Sequence, residues 1–262
     1  MDLNLKNKNA LVCGGSRGLG EASAIELALL GANVFLLARN KERLKKVLNK
    51  LDTSQGQQHG FITADLSEGP TVLKEKIDKI IARKNIHILI NNTGGPKGGN
   101  LQNATAEQFL EAFNNHILTA HNMVKWLKSG MVADQYGRIV NIVSTSVRQP
   151  IKGLAVSNVT RGAMASWAKT LSMELASTGI TVNNVLPGTT KTERVDEILL
   201  SRQKLYGYTP EESVNSMLLE IPFGRFATPE EIGAVVAFIA SPAASYITGA
   251  SIPVDGGKIK SI

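Results

Sequence analysis

Short apolar runs alternate with segments of helical periodicity along most of the chain. The runs predict strands at 9–12, 33–38, 59–64, 86–91, 138–143, 181–186 and 251–254. The periodic segments predict helices at 18–30, 41–51, 70–83, 104–128, 155–177 and 229–240. Strand and helix units of this length, repeated in turn, predict a parallel sheet with helices on both faces. Its strands are apolar throughout when both faces are covered, as they are at Ile88, Leu89 and Ile90.

We therefore predict an α/β protein with a Rossmann-type, doubly wound parallel sheet of about seven strands. No internal boundary interrupts the pattern, so we expect residues 1–262 to form a single domain. Periodicity weakens after Gly188, and residues 189–220 are predicted to be an extended irregular insertion. Long loops in compact domains are commonly lids or binding segments, and this one follows the carboxyl end of a strand, where ligands bind in open α/β sheets. We expect it to be a substrate lid.

The composition is that of a globular protein, with 43% apolar and 19% charged residues among 262. A net charge of +7, from 29 basic and 22 acidic residues, suits anionic partners such as a phosphorylated cofactor or an acidic carrier. A solvated basic surface would give the same charge. Basic residues do not interleave with aromatic ones, so we expect no nucleic-acid binding.

Several classes of site are not expected from this sequence. The single cysteine, Cys13, excludes an internal disulfide and a cysteine metal site, and the four histidines lack metal-ligand spacing. No apolar run approaches the roughly 20 residues of a membrane span. The first residues lack the apolar core of a signal peptide. We expect a cytoplasmic protein without a metal or a membrane partner.

A glycine-rich turn joins the first predicted strand to the first predicted helix, and it contains Gly14, Gly18 and Gly20. Glycine allows the backbone to turn sharply and to lie close to a pyrophosphate. The N–H groups and dipole at the start of the following helix then favour the negative charge. By itself, the same pattern also fits an ordinary turn between a strand and a helix.

Two arginines favour NADP over NAD as the cofactor. Folds selective for NAD commonly place an acid at the end of the second strand, whereas an arginine accommodates a 2′-phosphate. Here Arg39 follows that strand, and Arg17 within the turn is placed to reach the same phosphate. Asp65, just past the third strand, suits either the adenine amine or a turn. A surface position for Arg39 is the alternative.

The chain resembles the short-chain dehydrogenase/reductase family over nearly its whole length, nearest the 3-oxoacyl-carrier-protein reductase-like branch. The family's TGxxxGxG turn is matched at 13–20, its NNAG segment at 91–94, and its Pro-Gly segment at Pro187 and Gly188. Its C-terminal motifs are matched at 221–225, 247–249 and 254–257. The turn and the resemblance together imply cofactor contacts from Gly14, Ser16, Arg17, Gly18, Leu19, Gly20, Arg39, Asp65, Leu66, Asn92, Arg161, Pro187, Gly188, Thr190 and Thr192.

The catalytic positions of that family are altered. The family uses a serine, a tyrosine thirteen residues later, a lysine four beyond that, and an asparagine on an earlier helix. Aligned through 137–142, the serine position is Ser144, but the tyrosine position is Ser157 and the lysine position is Arg161. The asparagine position falls on His116. Only Ser144 is retained.

These changes alter the chemistry that the resemblance implies. A serine hydroxyl is far less acidic than a tyrosine hydroxyl, so Ser157 is a poor proton donor. Arg161 keeps its charge and can bond ribose hydroxyls, as the family's lysine does. Imidazole titrates near physiological pH, which makes His116 a candidate acid, although a helix histidine bonded to backbone or water is equally ordinary. Tyr206 and Tyr208 in the expected lid are further candidates.

We predict an NADP(H)-dependent oxidoreductase that acts on a small carbonyl, alcohol or acyl substrate with a rearranged proton relay. A non-catalytic NADP-binding sensor or assembly partner is the alternative, since three of the four catalytic positions differ. Loss of cofactor binding is the third possibility. The resemblance also implies a homotetramer assembled through the helices predicted at 104–128 and 155–177, with a small molecule or an acyl thioester as substrate.

Overall fold

Seven parallel strands form one sheet in the computed structural model, which describes residues 1–82 and 84–261. The strands are β1 (Asn9–Cys13), β2 (Asn33–Ala38), β3 (Gly60–Thr63), β4 (Ile88–Asn91), β5 (Gly137–Ile142), β6 (Ile180–Pro187) and β7 (Ser251–Val254). Their order is β3-β2-β1-β4-β5-β6-β7. All strands run parallel, and the order in which the chain adds strands across the sheet reverses between β1 and β4. This arrangement confirms the predicted doubly wound α/β fold.

Helices cover both faces of the sheet. They are α1 (Gly18–Leu29), α2 (Lys41–Leu48), α3 (Pro70–Ile81), α4 (Ala106–Phe113), α5 (Thr119–Ala133), α6 (Ala155–Leu175), α7 (Glu193–Tyr206), α8 (Pro210–Leu218) and α9 (Pro229–Ala240). The predicted strands agree with the observed ones to within two residues at each end. The predicted end of the third helix, Arg83, lies outside the described residues.

Alternate residues of each strand supply two separate apolar cores. Val12 of β1 lies in a core that α1, α2 and α9 cover, whereas its neighbour Leu11 lies in a core covered by α3, α5 and α6. This alternation follows from the period of two in a strand, which points successive side chains to opposite faces. Both cores are built from apolar side chains, which explains why most strand residues are apolar.

The single helix predicted at 104–128 is wrong, because a π-helical turn at Asn114–Leu118 separates α4 from α5. The first of these helices begins at a capping box, in which Thr105 and Gln108 satisfy each other's backbone N–H groups. The Thr119 hydroxyl donates to the Asn114 carbonyl at 3.0 Å across the widened turn. Such turns are common at functional sites, and this one carries the buried His116.

The irregular insertion predicted at 189–220 is also wrong, because α7 and α8 occupy most of it. Its apolar residues form a small cluster of their own, with Val195, Met217, Ile221 and Phe226 buried together. Because they do not pack on the main sheet, the segment lacks the wide apolar face that sequence periodicity detects. Thr209 and Glu212 form a capping box that starts the second helix.

A ladder of polar side chains crosses the sheet from β4 to β7. The Asn91 amide donates to Asn141 Oδ1 at 2.8 Å, and the Asn141 amide donates to Asn184 Oδ1 at 2.9 Å. The Asn184 amide then donates to Ser251 Oγ at 3.1 Å on β7. These residues are register partners on neighbouring strands, so the ladder follows from their positions in the sheet.

Among the described residues, none of the helices combines the length and the apolar character needed to cross a membrane. The same residues contain no group of three or more histidine, cysteine or acidic side chains placed to hold a metal ion.

We expect Asn141→Ala to destabilise the fold by about 2–4 kcal/mol. It removes two hydrogen bonds and leaves the buried groups of Asn91 and Asn184 without these partners, each of which costs about 1–3 kcal/mol. Chemical denaturation measures the change. Thr181→Val is the matched control, because the buried hydroxyl of Thr181 has no hydrogen-bond partner in the described structure and its loss should be nearly neutral. Equal effects of the two substitutions would contradict a structural role for the ladder.

Candidate active site

The glycine-rich turn after β1 admits only glycine at two of its positions. Gly14 has a φ of +62°, and a Cβ there would lie 2.6 Å from the Asn92 carbonyl oxygen. A Cβ on Gly20 would lie 2.2 Å from the Gly14 carbonyl oxygen, so α1 begins against the turn itself. The Asn92 amide also donates to that carbonyl at 3.4 Å, which ties β4 to the turn. Ser16 and Leu19 are half-buried in the same segment.

The carboxyl end of β6 brings a second segment to this turn. Gly188 passes so close to β7 that a Cβ would lie 2.6 Å from Asp255 Cα. The Thr190 hydroxyl donates to the Gly188 carbonyl at 3.1 Å, and Pro187 ends the strand. The Thr192 methyl group would lie 3.5 Å from a Cβ on Gly18. The residues predicted from β1, β4 and β6 therefore lie together beside the glycine-rich turn, in a region called the groove below.

The arginines near this groove are held by two carboxylates. Arg17 and Arg43 both form ion pairs with Glu193, the first residue of α7, and the Arg43 pair measures 3.0 Å. Arg39 lies 3.5 Å from Asp65. Sequence reasoning identified Arg17 and Arg39 but missed Arg43 and Glu193. The only available signal was an arginine one helical turn beyond Arg39.

Asp65 has the contacts of a turn residue. Its carboxylate accepts hydrogen bonds from the backbone N–H of Ser67 at 3.0 Å and from the Ser67 hydroxyl at 2.8 Å. These bonds and the nearby Arg39 lower the pKa of Asp65 despite partial burial, so it is a carboxylate at neutral pH. The turn alternative and a contact with adenine are compatible, because one oxygen still faces Arg39.

Arg161 on α6 is buried, with 8% of its surface exposed. Its guanidinium donates one hydrogen bond, at 3.3 Å, to the Ile142 carbonyl at the end of β5. No carboxylate of the described residues pairs with it. Burial, followed by the nearby positive charge of Arg194, lowers the pKa of Arg161 to about 10, so it remains charged at neutral pH.

His116 lies beside Arg161 in a small cavity that Leu66, Thr93 and Cys13 also line. Its Nδ1 shares a hydrogen bond with the Thr93 hydroxyl. Burial and the positive charge of Arg161 lower the pKa of His116 to about 3. The expectation that His116 titrates near physiological pH is therefore wrong, because this imidazole stays neutral there. Burial also raises the pKa of the Cys13 thiol to about 12, which leaves it protonated.

The two serines lie on different elements, each close in sequence to a residue that lines this cavity. Ser144 follows β5, where its Oγ accepts a hydrogen bond from the Ser146 N–H at 3.1 Å. Ser157 is half-buried on α6, one helical turn before Arg161. Because Arg161 bonds to Ile142, two residues before Ser144, the start of α6 is fixed against the end of β5.

The residues around the groove fit a dinucleotide. Glycine is needed where the turn approaches Asn92, and a Cβ on Gly94 would meet nothing within 4 Å, which leaves open space beyond β4. Arg17 lies in the turn with Arg43 beside it, and Arg161 has guanidinium donors left without partners near the end of β5. Backbone amides at a helix start suit a pyrophosphate, and guanidinium groups suit a further phosphate.

Comparison with known proteins agrees with this geometry. Residues 14–258 match the family model described as Enoyl-(Acyl carrier protein) reductase. The chain belongs to the short-chain dehydrogenase/reductase family. It is 31% identical over 257 residues to the 3-oxoacyl-[acyl-carrier-protein] reductase FabG of Pseudomonas aeruginosa, covering 97% of this chain and 98% of that one.

Two further relatives carry NADPH in their descriptions. The chain is 29% identical to the NADPH-dependent reductase BacG of Bacillus subtilis, over 98% of this chain and all of that one. It superposes with a TM-score of 0.91 on L-sorbose reductase from Gluconobacter frateurii in complex with NADPH and L-sorbose, with 29% identity and full coverage of both chains. The predicted family is confirmed, and with it the prediction that the protein is an oxidoreductase.

We expect His116 to make the short-chain dehydrogenase/reductase fold sensitive to acid. The unfolded imidazole has a pKa near 6.5 but the folded one about 3, so the unfolded state takes up the proton first. Stability is then full above pH 6.5 and falls by about 1.4 kcal/mol per pH unit down to about pH 3. His116→Asn should lose about 2 kcal/mol less stability than the wild type between pH 7 and pH 5, measured by urea denaturation. Parallel losses in both proteins would contradict the lowered pKa.

Proposed function

We propose that this protein is an NADP(H)-dependent oxidoreductase acting on a small carbonyl, alcohol or acyl substrate. The observation that carries the proposal is the arrangement at the carboxyl edge of the sheet. A turn that requires glycine, the retained Ser144 and the buried Arg161 border one groove there. The NADPH named with two relatives and the family of the chain support the choice of cofactor.

The residues that hold the cofactor come from the ends of five strands, β1, β2, β3, β4 and β6, and from α2 and α6. Gly14, Ser16, Gly18, Leu19 and Gly20 line the pyrophosphate through backbone N–H groups at the start of α1. Arg17 and Arg39, with Arg43 beside them, bind the 2′-phosphate, and Asp65 and Leu66 border the adenine. Asn92, Arg161, Pro187, Gly188, Thr190 and Thr192 border the nicotinamide half. When bound, NADPH supplies the hydride that the substrate carbon accepts.

Ser144 orients the substrate in this proposal. Its Oγ accepts a hydrogen bond from a backbone N–H, so its own O–H is available to donate to a substrate oxygen. A positioned hydroxyl of this kind stabilises the negative charge that develops on a carbonyl oxygen during reduction.

Ser157 takes the place of the family's tyrosine and relays a proton to the substrate oxygen at its Oγ. A serine hydroxyl does not titrate near neutral pH, so the proton comes ultimately from solvent, to which the half-buried Ser157 has access. Neutral His116 positions Thr93 and Arg161 and donates no proton of its own. The helical segment 189–220 forms the substrate side of the groove, and the start of its first helix also reaches the proposed phosphate site, where Glu193 pairs with Arg17 and Arg43.

A homotetramer is part of the same proposal. Exposed apolar side chains lie on the helices that the family uses for assembly: Leu110, Phe113, Val132, Val159 and Met173. Trp126 and Trp167, by contrast, pack on the core of the chain itself.

The activity is tested by stopped-flow NADPH oxidation with a panel of ketones, acyl thioesters and enoyl thioesters. We expect turnover with at least one class and a loss of about a hundredfold in kcat for Ser144→Ala. Ser166→Ala, at an exposed serine on α6, is the matched control and should leave kcat unchanged. Tight NADPH binding without any turnover would reject the enzyme and favour a cofactor-binding sensor. Strong activation by Ser157→Tyr with Arg161→Lys would point the same way.

Cofactor choice is tested by calorimetric titration with NADPH and NADH. Arg17→Ala should weaken NADPH binding by about tenfold or more, since a charge-assisted bond to the phosphate is lost, and should leave NADH binding nearly unchanged. Arg43→Ala should act in the same direction. Lys46→Ala, another exposed cation on α2, is the control. Equal losses for both cofactors would contradict a 2′-phosphate site at these arginines.

A further inference from the structure

Arg161 is a buried charge without a counter-ion. Its guanidinium has five N–H donors, and the described residues accept a hydrogen bond from one nitrogen only, at the Ile142 carbonyl. A buried ion that lacks a partner is costly, because the protein interior replaces its hydration poorly. Such a group is therefore expected where a bound ligand supplies the missing hydrogen bonds and the opposite charge.

Arg138 on β5 is the other buried arginine of the described residues, and its guanidinium has more hydrogen-bond partners than that of Arg161. It donates to three carbonyls, those of Gly137 at 2.9 Å and of Gly179 and Ser241 at 3.4 Å. It also lies 4.2 Å above the Tyr136 ring centroid. Arg138 thus has a complete set of neighbours, whereas Arg161 faces a cavity with most of its donors unused.

The cofactor proposed above does not neutralise this charge at Arg161. Ribose hydroxyls would accept hydrogen bonds from the guanidinium, but they are neutral. His116, which lies in the same cavity, is neutral as well. The nearest charged neighbour is Arg194 at the start of α7, a second cation close enough to lower the pKa of Arg161.

The loop that contains Leu66 carries Asp65 and Glu68, but two other segments beside the cavity add positive charge and no negative charge. Residues 93–104 and 143–162 contain four basic residues, Lys97, Arg148, Lys152 and Arg161, and no acidic one. The two loops meet where the Gly99 N–H donates to the Gly153 carbonyl at 2.8 Å. Arg194 joins them by donating to the Pro96 carbonyl at 3.4 Å, and its own carboxylate partner, Glu197, is exposed on the same helix. This potential attracts an anion toward the cavity.

We propose that the substrate of this site carries a carboxylate, and that Arg161 binds it, with Arg194 at the entrance of the cavity. The inference rests on the proposed function, because it places the carboxylate of the substrate beside the reacting carbon. A guanidinium binds a carboxylate through two parallel hydrogen bonds, which fixes both the position and the orientation of the substrate. The family's lysine presents a single ammonium group at this position, whereas the planar guanidinium of an arginine can donate two parallel hydrogen bonds to one carboxylate.

The test compares acids with their neutral amides on the full chain. Pyruvate, acetoacetate and levulinate are each titrated calorimetrically beside pyruvamide, acetoacetamide and levulinamide, with the protein saturated in NADP⁺. The three pairs place the carboxylate at increasing distances from the ketone. We expect at least one acid to bind about tenfold or more tightly than its amide. Amides that bind as well as the acids in every pair would overturn the proposal.

Two variants decide whether Arg161 is responsible. Arg161→Gln should abolish the preference for the acid, whereas Arg148→Gln, which removes an exposed cation from the same loops, should retain it. Circular dichroism and thermal denaturation of each variant show whether the fold is intact, because Arg161 also borders the proposed cofactor site and NADP⁺ binding is therefore not an independent check. If Arg161→Gln keeps the preference, the proposal is wrong. Arg161→Lys should retain part of the preference for the acid, because lysine keeps the positive charge but cannot form the two parallel hydrogen bonds of a guanidinium.

Turnover separates this inference from the proposed function. Acid-selective binding without NADPH oxidation by any compound would reject the oxidoreductase and leave the carboxylate site standing. Oxidation of NADPH by the amides alone would reject the carboxylate site and support the oxidoreductase. If an acetoacetyl thioester on an acidic carrier protein binds more tightly than the same thioester on pantetheine, and no acid binds better than its amide, the basic loops serve a carrier and the carboxylate proposal fails.

Discussion

The architecture of the site depends on one close approach of two backbone segments. The first turn of α1 passes so near the Gly14 carbonyl that a methyl group on Gly20 would lie 2.2 Å from its oxygen. This contact fixes where α1 begins, and α1 in turn packs closely against α9 and covers one face of the sheet. The N–H groups at the start of the helix are thereby aimed into the groove where β1, β4 and β6 end. The contact between Gly14 and Gly20 therefore determines both the position of the predicted anion site and the packing of α1 on that face of the sheet.

The asparagine ladder holds the same edge of the sheet from within. Asn91, Asn141 and Asn184 occupy matching positions on neighbouring strands, and each satisfies a polar group of the next in an otherwise apolar interior. Since a half-satisfied polar network is more costly than an apolar one, the three strands are held in one register. The Ile142 carbonyl that anchors Arg161 ends β5, and Ser144 follows two residues later, so the register of the strands also positions both residues.

Charge is distributed unevenly around the groove. Beside the glycine-rich turn, arginines and carboxylates are paired, with Glu193 joining Arg17 to Arg43 and Asp65 facing Arg39. Near the end of β5, Arg161 lies close to Arg194, and the only acid of the described residues that pairs with either is the exposed Glu197. The first arrangement is close to neutral, whereas the second carries excess positive charge.

The sequence by itself determined the sheet, most helices and the position of the glycine-rich turn. These features depend on local patterns, namely strand-length apolar runs, helical periodicity and glycines at fixed spacing, which adjacent residues already contain. Only the tertiary structure decided the rest. It broke the helix predicted at 104–128 at a π-turn, folded 189–220 into helices around a small core of their own, and brought Arg43 and Glu193 to the predicted phosphate site. It also made His116 neutral, because the pKa of a side chain depends on burial and on charges distant in sequence, which no local pattern records.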